Sequence, residues 1–222
     1  MITAVRKPLN EIIEMVAPYE KILVTGCGTC VTIDYSGGAK EAAILASQLR
    51  IARRLGGKKL ETLEQTVERQ CEWEFVNEFT DHGAECQAII SMACGAGIQT
   101  VAAAFPDKPV FPGVNTRFIG MPQKQGVWEE RCICCGNCVL HLTGGLCPFA
   151  RCAKTLLNGP CEGSQDGKCE VNRELDCVWQ QIYDNLKEKG RLADLQKIFP
   201  LRDWSTGEDG GYRITVREDM IL

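Results

Sequence analysis

Between Cys132 and Cys177 the chain places nine of its fourteen cysteines, and no other feature restricts its folding so tightly. The segment opens Cys132-Ile133-Cys134-Cys135-Gly136-Asn137-Cys138 and continues through Cys147-Pro148, Cys152, Cys161, Cys169 and Cys177. Cys132, Cys135 and Cys138 recur every third residue, which brings three thiolates to one point through a tight loop. Bacterial ferredoxins hold iron–sulfur clusters with that spacing, and a later Cys-Pro often serves a second cluster. Gly136, Gly144, Gly145, Gly159, Gly163 and Gly167 let the backbone bend sharply around a bulky inorganic centre. The segment reads as a metal-binding module.

Whether so many thiols are ligands or disulfides depends on compartment. The start, MITAVRKPLN, lacks the apolar region of a secretory signal, and no stretch reaches the length of a membrane span. The chain therefore reads as cytoplasmic, with no membrane partner. In a reducing compartment fourteen cysteines point to metal rather than to disulfides. The chain has two histidines, His82 and His141, so its metal sites must be nearly all-thiolate. A formal net charge of −4, with no run of Lys or Arg, excludes a phosphate-binding stripe and hence nucleic acid. At 222 residues the chain fits one or two domains and can bury a core.

The N-terminal part alternates strand and helix. Asn10 is expected to cap a helix carrying Ile12, Ile13, Met15 and Val16 that ends near Pro18. Lys21 to Thr25 is an apolar run consistent with a buried parallel strand. A helix follows from Gly38 to Leu55, with Ala42, Leu45, Leu49 and Ala52 on one face. Further elements are a strand over 61–68, a short helix over 72–79, a strand over 87–92, a helix over 96–105, and Val110-Phe111 as the last strand. This order predicts a small doubly wound parallel sheet, whose ligands bind outside the carboxyl ends of its strands. Cys27 and Cys30 follow the first strand, Cys71 the second and Cys94 the third, so all four thiols are expected at one edge, as a metal site. Cys86 precedes the third strand and is expected at the opposite edge, unliganded. A single Cys at a strand end is commonly packing, and Cys27-x-x-Cys30 also fits a redox dithiol. The convergence of all four favours metal.

After Cys177, Asp176 is expected to cap a helix with Val178, Trp179, Ile182 and Leu186 on its apolar stripe, ending at Gly190. Arg191 to Phe199 reads as a second helix stopped by Pro200. The expected organisation is an α/β domain over 1–120, a cysteine-rich iron–sulfur module with closing helices over 121–204, and a tail over 205–222. That tail either docks extended on a partner or packs loosely.

Counting ligands sharpens the metal reading. Cys134 would crowd the loop between Cys132 and Cys135; without it eight cysteines remain, enough for two four-thiolate centres. Adding Cys27, Cys30, Cys71 and Cys94 gives twelve, or three centres, with Cys86 and Cys134 left over. By analogy with two-cluster ferredoxins, Cys132, Cys135 and Cys138 take Cys177 as their fourth ligand, leaving Cys147, Cys152, Cys161 and Cys169 for the other centre. Two to three [4Fe-4S] clusters are expected, with tetrahedral zinc the competitor at every site and strongest at the N-terminal one. The triple C-x-x-C run favours a cubane, because a zinc knuckle takes two thiolates from one loop. The C-x₃-C-x₂-C loop of radical enzymes is absent, no G-x-G-x-x-G follows a strand, and no acid–base pair or nucleophile triad emerges.

Several segments carry a family resemblance: Thr25-Gly-Cys-Gly-Thr-Cys30, Val67-Glu-Arg-Gln-Cys71, Ser91-Met-Ala-Cys-Gly95, Thr143-Gly-Gly-Leu-Cys-Pro148 and Lys154-Thr-Leu-Leu-Asn-Gly-Pro-Cys161. They resemble the small iron–sulfur subunit of the two-subunit methylenetetrahydrofolate reductase of acetogens and related anaerobes, the "methylenetetrahydrofolate reductase C-terminal" family. The resemblance covers roughly Lys21 to Trp204 and is most specific from Asn158-Gly-Pro-Cys161 through Gly167-Lys-Cys169. Cys86 and Cys134 stand outside the family pattern. The resemblance implies a non-catalytic electron-transfer subunit in the one-carbon branch of carbon dioxide fixation. Its partner would be a flavin-containing catalytic subunit that reduces 5,10-methylenetetrahydrofolate to 5-methyltetrahydrofolate, with ferredoxin or further electron-transfer subunits beyond it. The flavin is expected on that partner, not here. Two other readings stay open: an electron-transfer module of another anaerobic redox complex, and a zinc-stabilised scaffold, which the family's association with zinc also suggests.

Overall fold

Ile22, Leu23 and Val24 are fully buried, and a run with no solvent-facing side suits only a strand covered on both faces. In the computed structural model, which describes residues 1–207 and 211–220, this run is the centre of strand β2 (Lys21–Cys27). β2 pairs in parallel with β3 (Glu61–Val67) on one side and β4 (Ala88–Ser91) on the other, and β4 pairs in parallel with β5 (Val110–Pro112). The resulting order, β3-β2-β4-β5, reverses direction between β2 and β4. The register sets Thr25 beside both Gln65 and Ser91, so the carboxyl ends of β2 and β4 finish together.

Alternation along β2 and β4 divides their side chains between two cores. Ile22, Val24 and Ile90 pack with Ile12 and Val16 of the α1 region (Leu9–Met15) and with Ala42, Leu45 and Leu49 of α3 (Ala39–Leu55). Leu23 and Ile89 face the other way, onto Val76 of α4 (Trp73–Val76), Phe79, and Val101 of α6 (Gly95–Ala104). Phe79 and Phe105 stack there at 5.9 Å. Helices on both faces give the doubly wound parallel sheet expected from the alternation. Between α4 and β4 lie a 3₁₀ turn, Asn77–Phe79, and α5 (Thr80–Glu85). The entry to α3 is tight: a Cβ on Gly37 would stand 1.8 Å from the Met92 carbonyl oxygen, so only glycine lets the chain pass the end of β4.

Two details of this region differ from expectation. Pro8, not Asn10, precedes the first turn of α1, because the Ile12 amide already donates to the Pro8 carbonyl at 3.3 Å. Val110-Phe111 is not the last strand. β6 (Val114–Lys124) and β7 (Val127–Cys132) follow as a hairpin about Gly126, whose φ of +80° is the left-handed conformation such a turn needs. With β1 (Ile2–Arg6) they form a second sheet of order β1-β6-β7, in which β1 runs antiparallel to β6 and Arg6 pairs with Val114.

The chain divides into two units, Met1–Glu129 and Glu130–Leu222. The second contains α7 (Pro148–Arg151) and α8 (Val178–Glu188). Its core is Cys177, Val178, Trp179, Ile182, Leu186 and Phe199. The stripe expected on α8 is thus the buried one. The expected cap is not: Cys177 occupies that position, and Asp176 instead accepts from Lys168 Nζ at 2.5 Å. The second closing helix is a short 3₁₀ turn, Leu192–Gln196, because Asn158 holds Phe199 by both backbone groups and turns it into the core before a full helix can extend. Of the expected tail, residues 208–210 and 221–222 lie outside the described residues, and Arg213 donates to the carbonyls of Cys134 and Thr206. Among the described residues no helix is long and apolar enough to cross a membrane.

Candidate metal centres

Cys27 is the last residue of β2, Cys71 lies in the loop after β3, and Cys94 immediately precedes α6, so the parallel sheet carries them to its carboxyl end. Cys71's thiol is pushed above its ordinary value, first by desolvation of its sulfur and then by the charges of Cys27 and Cys94. Cys71 therefore lies within electrostatic reach of both Cys27 and Cys94. Cys30, half-buried, opens α2 (Cys30–Ile33) three residues after Cys27. Cys27's thiol donates weakly to the Glu68 carbonyl at 3.9 Å, and the Gly28 amide donates to the Val67 carbonyl at 2.8 Å, which ties the Cys27 loop to the end of β3. Cys86 precedes β4 at the other end of the sheet, is buried, and burial pushes its thiol up.

One residue that organises this end was not read from the sequence. Gln70, fully buried, donates from Nε2 to the carbonyls of Thr25 (3.1 Å) and Gly26 (2.8 Å), and its Oε1 accepts from Ser91 Oγ at 2.7 Å. It pins β2, β4 and the Cys71 loop to one another. A glutamine beside a cysteine in a polar loop carries no periodic signal; only its burial identifies it.

In the second unit, Cys134 (φ +55°) and Gly136 (φ +77°) bend the loop back on itself. The Cys134 amide donates to Cys132 Sγ at 3.3 Å, and Cys134's own thiol is raised by burial and by Cys132. The Cys135 carbonyl accepts from Arg202 Nη2 (2.7 Å) and Thr206 Oγ1 (3.1 Å), and a Cβ on Gly136 would stand 2.4 Å from the Thr206 carbonyl oxygen. The segment around 202–206 therefore closes on this loop. Cys138 lines a cavity of about 180 Å³ with His141, Leu142, Phe149 and Phe199. Cys147, half-buried, directly precedes α7.

Cys152, Cys161, Cys169 and Cys177 line a single cavity together with Trp179. The sequence reading grouped Cys177 with Cys132, Cys135 and Cys138; in the fold it lines this cavity with Cys152, Cys161 and Cys169. The reason is local: the Cys177 amide donates to the Gly167 carbonyl at 2.7 Å and the Cys169 amide to the Leu175 carbonyl at 3.0 Å, folding 165–177 into a closed loop that sets Cys177 beside Cys169. Backbone amides of Asn172, Val171 and Ala153 lower the Cys169 thiol, favouring its thiolate. A Cβ on Gly159 would stand 2.5 Å from Trp179 Nε1, so the Asn158-Gly-Pro-Cys161 motif packs its glycine against the indole.

All fourteen cysteines are free thiols. Among the described residues no three His, Cys, Asp or Glu side chains stand together as they would around a bound metal ion. What the second unit supplies is the donor chemistry of a thiolate-ligated group: four cysteines on one cavity, backbone amides directed at Cys169, and a buried Trp179 N–H with no partner. By donor chemistry, though not by present spacing, these are the residues an iron–sulfur group would use.

No curated protein matches the chain. Among solved structures, an extracellular ligand-binding receptor from Verminephrobacter eiseniae is similar over 49% of this chain at 14% identity and a TM-score of 0.36; the similar region spans 31% of that receptor. Residues 111–205 match a protein-family model described as "Methylene-tetrahydrofolate reductase C terminal". The matched range contains every cysteine from Cys132 to Cys177 and leaves out Cys27, Cys30, Cys71, Cys86 and Cys94. The cysteine-rich segment is thereby linked to methylenetetrahydrofolate reductase.

Proposed function

We propose that the chain is the iron–sulfur electron-transfer subunit of a methylenetetrahydrofolate reductase, working in the cytoplasm beside a flavin-containing catalytic subunit. The observation that carries this reading is the cavity lined by Cys152, Cys161, Cys169 and Cys177 within the segment that matches the reductase family. These four would hold one [4Fe-4S] cluster, and Cys132, Cys135, Cys138 and Cys147 the other. Cys27, Cys30, Cys71 and Cys94 would hold a third cluster or zinc. Such clusters supply one-electron steps, which the partner's flavin would convert to hydride chemistry. The chain's own residues hold the thiolates, stabilise them by backbone N–H donation as at Cys169, and exclude water through the α8 core. Ferredoxin or a further electron-transfer subunit would deliver the electrons.

Anaerobic iron, sulfide and zinc quantification with a visible spectrum tests the proposal. About twelve irons with matching sulfide, or about eight with one zinc, is expected for cubanes of four irons each. Zinc alone, without colour, would overturn it. Cys135→Ser is expected to lose one cluster and slow reduction of the partner's flavin, while Cys86→Ser keeps the full metal content. The partition has its own test: Cys169→Ser and Cys177→Ser combined should lose no more iron than either alone, whereas Cys135→Ser with Cys177→Ser should lose both clusters.

A further inference from the structure

Trp179 is the second residue of α8 and lines the same cavity as Cys152, Cys161, Cys169 and Cys177. The residue is 3% exposed, and its Nε1 is buried with no hydrogen-bond partner. An indole nitrogen can only donate, and a buried donor without an acceptor bears its full desolvation cost. Gly159 leaves the room that the ring occupies, since a Cβ there would stand 2.5 Å from both Nε1 and Cδ1. Trp128 Nε1 is likewise buried without a partner, but its ring meets the edge of Tyr35 at 6.1 Å. Trp179 is set apart by the four thiols that share its cavity. Of the charged residues on the cavity, Lys154 pairs with Glu170, Asp176 with Lys168, and Arg151 donates to Gln181 Oε1 at 2.9 Å.

We propose that Trp179 Nε1–H donates a hydrogen bond to a sulfur of the iron–sulfur group held by Cys152, Cys161, Cys169 and Cys177, and that this bond raises that group's reduction potential. Reduction adds negative charge to the sulfurs, so a donor aimed at one of them favours the reduced state. Trp179 is then a positioning and tuning residue, and Gly159 is selected by the space the indole needs. The inference rests on the electron-transfer reading above.

The test uses the whole chain, purified anaerobically and labelled with ¹⁵N at the indole nitrogens. Pulsed EPR of the reduced protein should show coupling to one indole ¹⁵N on one cluster. Trp179→Phe should keep the iron content, abolish that coupling and shift one midpoint potential negative in a redox titration; Gly159→Ala should shift the same potential in the same direction. Iron-loaded wild type without ¹⁵N coupling would overturn the inference, as would an iron-replete Trp179→Phe with unchanged potentials. Should Trp179→Phe lose its iron, the coupling in labelled wild type decides. Wild type without iron would overturn the electron-transfer reading and this inference together.

Discussion

Gln70 has no chemistry of its own, yet its amide joins three segments that each end in or near a thiol: Thr25 and Gly26 before Cys27, Ser91 before Cys94, and the loop of Cys71. Gln70→Leu keeps the volume but removes a donor from the Thr25 and Gly26 carbonyls and the acceptor of the Ser91 hydroxyl, although Thr25's carbonyl keeps the Met92 amide and Ser91's Oγ the Ala93 amide. It is expected to cost about 1–3 kcal/mol in urea unfolding and to speed alkylation of Cys27 and Cys94; an unchanged midpoint would show that the network does not hold the site. Asp34 makes a different prediction. Its carboxylate is buried and accepts from the Ala4 amide at 2.6 Å and the Ser36 amide at 3.0 Å, and burial outweighs those bonds to push it above its ordinary value of 3.8. The ionised form is thus worse off in the folded chain than in the unfolded one. Asp34's contribution to stability is complete below 3.8 and is lost as pH rises through the higher folded value. Urea titrations of wild type and Asp34→Asn, run in parallel from about pH 3 to about pH 7, should show the wild type losing ground to the variant as pH rises. Neither residue was legible in the sequence, because a buried polar side chain looks like any loop residue until its partners are known.

At the scale of elements, periodicity was informative where one face is buried and silent where none is. α3 and α8 each carry a full apolar stripe, and both lie where the spacing predicted. β6 does not: Asn115, Thr116 and Arg117 are all exposed, so no alternation marks it, and its partner β1 comes from the far end of the chain. The closing 3₁₀ turn was hidden for a related reason, since Leu192, Leu195 and Ile198 suit a helix, but Ile198 points outward and Phe199 is drawn in by Asn158. Ile182 is fully buried at the centre of α8. Ile182→Ala should cost about 2–5 kcal/mol and raise hydrogen exchange through 167–177; protection there that survives would separate the helix from the Cys177 loop. Gly37→Ala meets the Met92 carbonyl head-on and should leave the chain insoluble or its sheet unprotected from exchange, whereas Gly57→Ala, with nothing within 4 Å of the added carbon, costs only the strain of its φ of +72°.

On the scale of the whole molecule the two units are built on different physics. The first encloses a four-stranded parallel sheet between two apolar clusters. The second has an apolar cluster of six buried residues, one of them Cys177, and on the proposed reading takes further stability from what its thiols hold. Removing metal by oxidation and chelation should therefore expose the amides of 130–207 to exchange while those of β2 and β4 stay protected; equal loss in both units would contradict this division. The sequence by itself determined the number and spacing of the thiols and, through the strand–helix alternation, the edge of the sheet toward which Cys27, Cys71 and Cys94 run. It did so because burial on two faces imprints a local pattern on the chain. Which thiols of the second unit share a cavity was decided by tertiary structure. The bonds from Cys177 to Gly167 and from Cys169 to Leu175 close a loop that spacing does not encode, and Trp179 meets the cysteines only because Gly159 leaves its ring room. Side-chain periodicity reports which way a residue faces; the hydrogen bonds that close a loop determine what it faces.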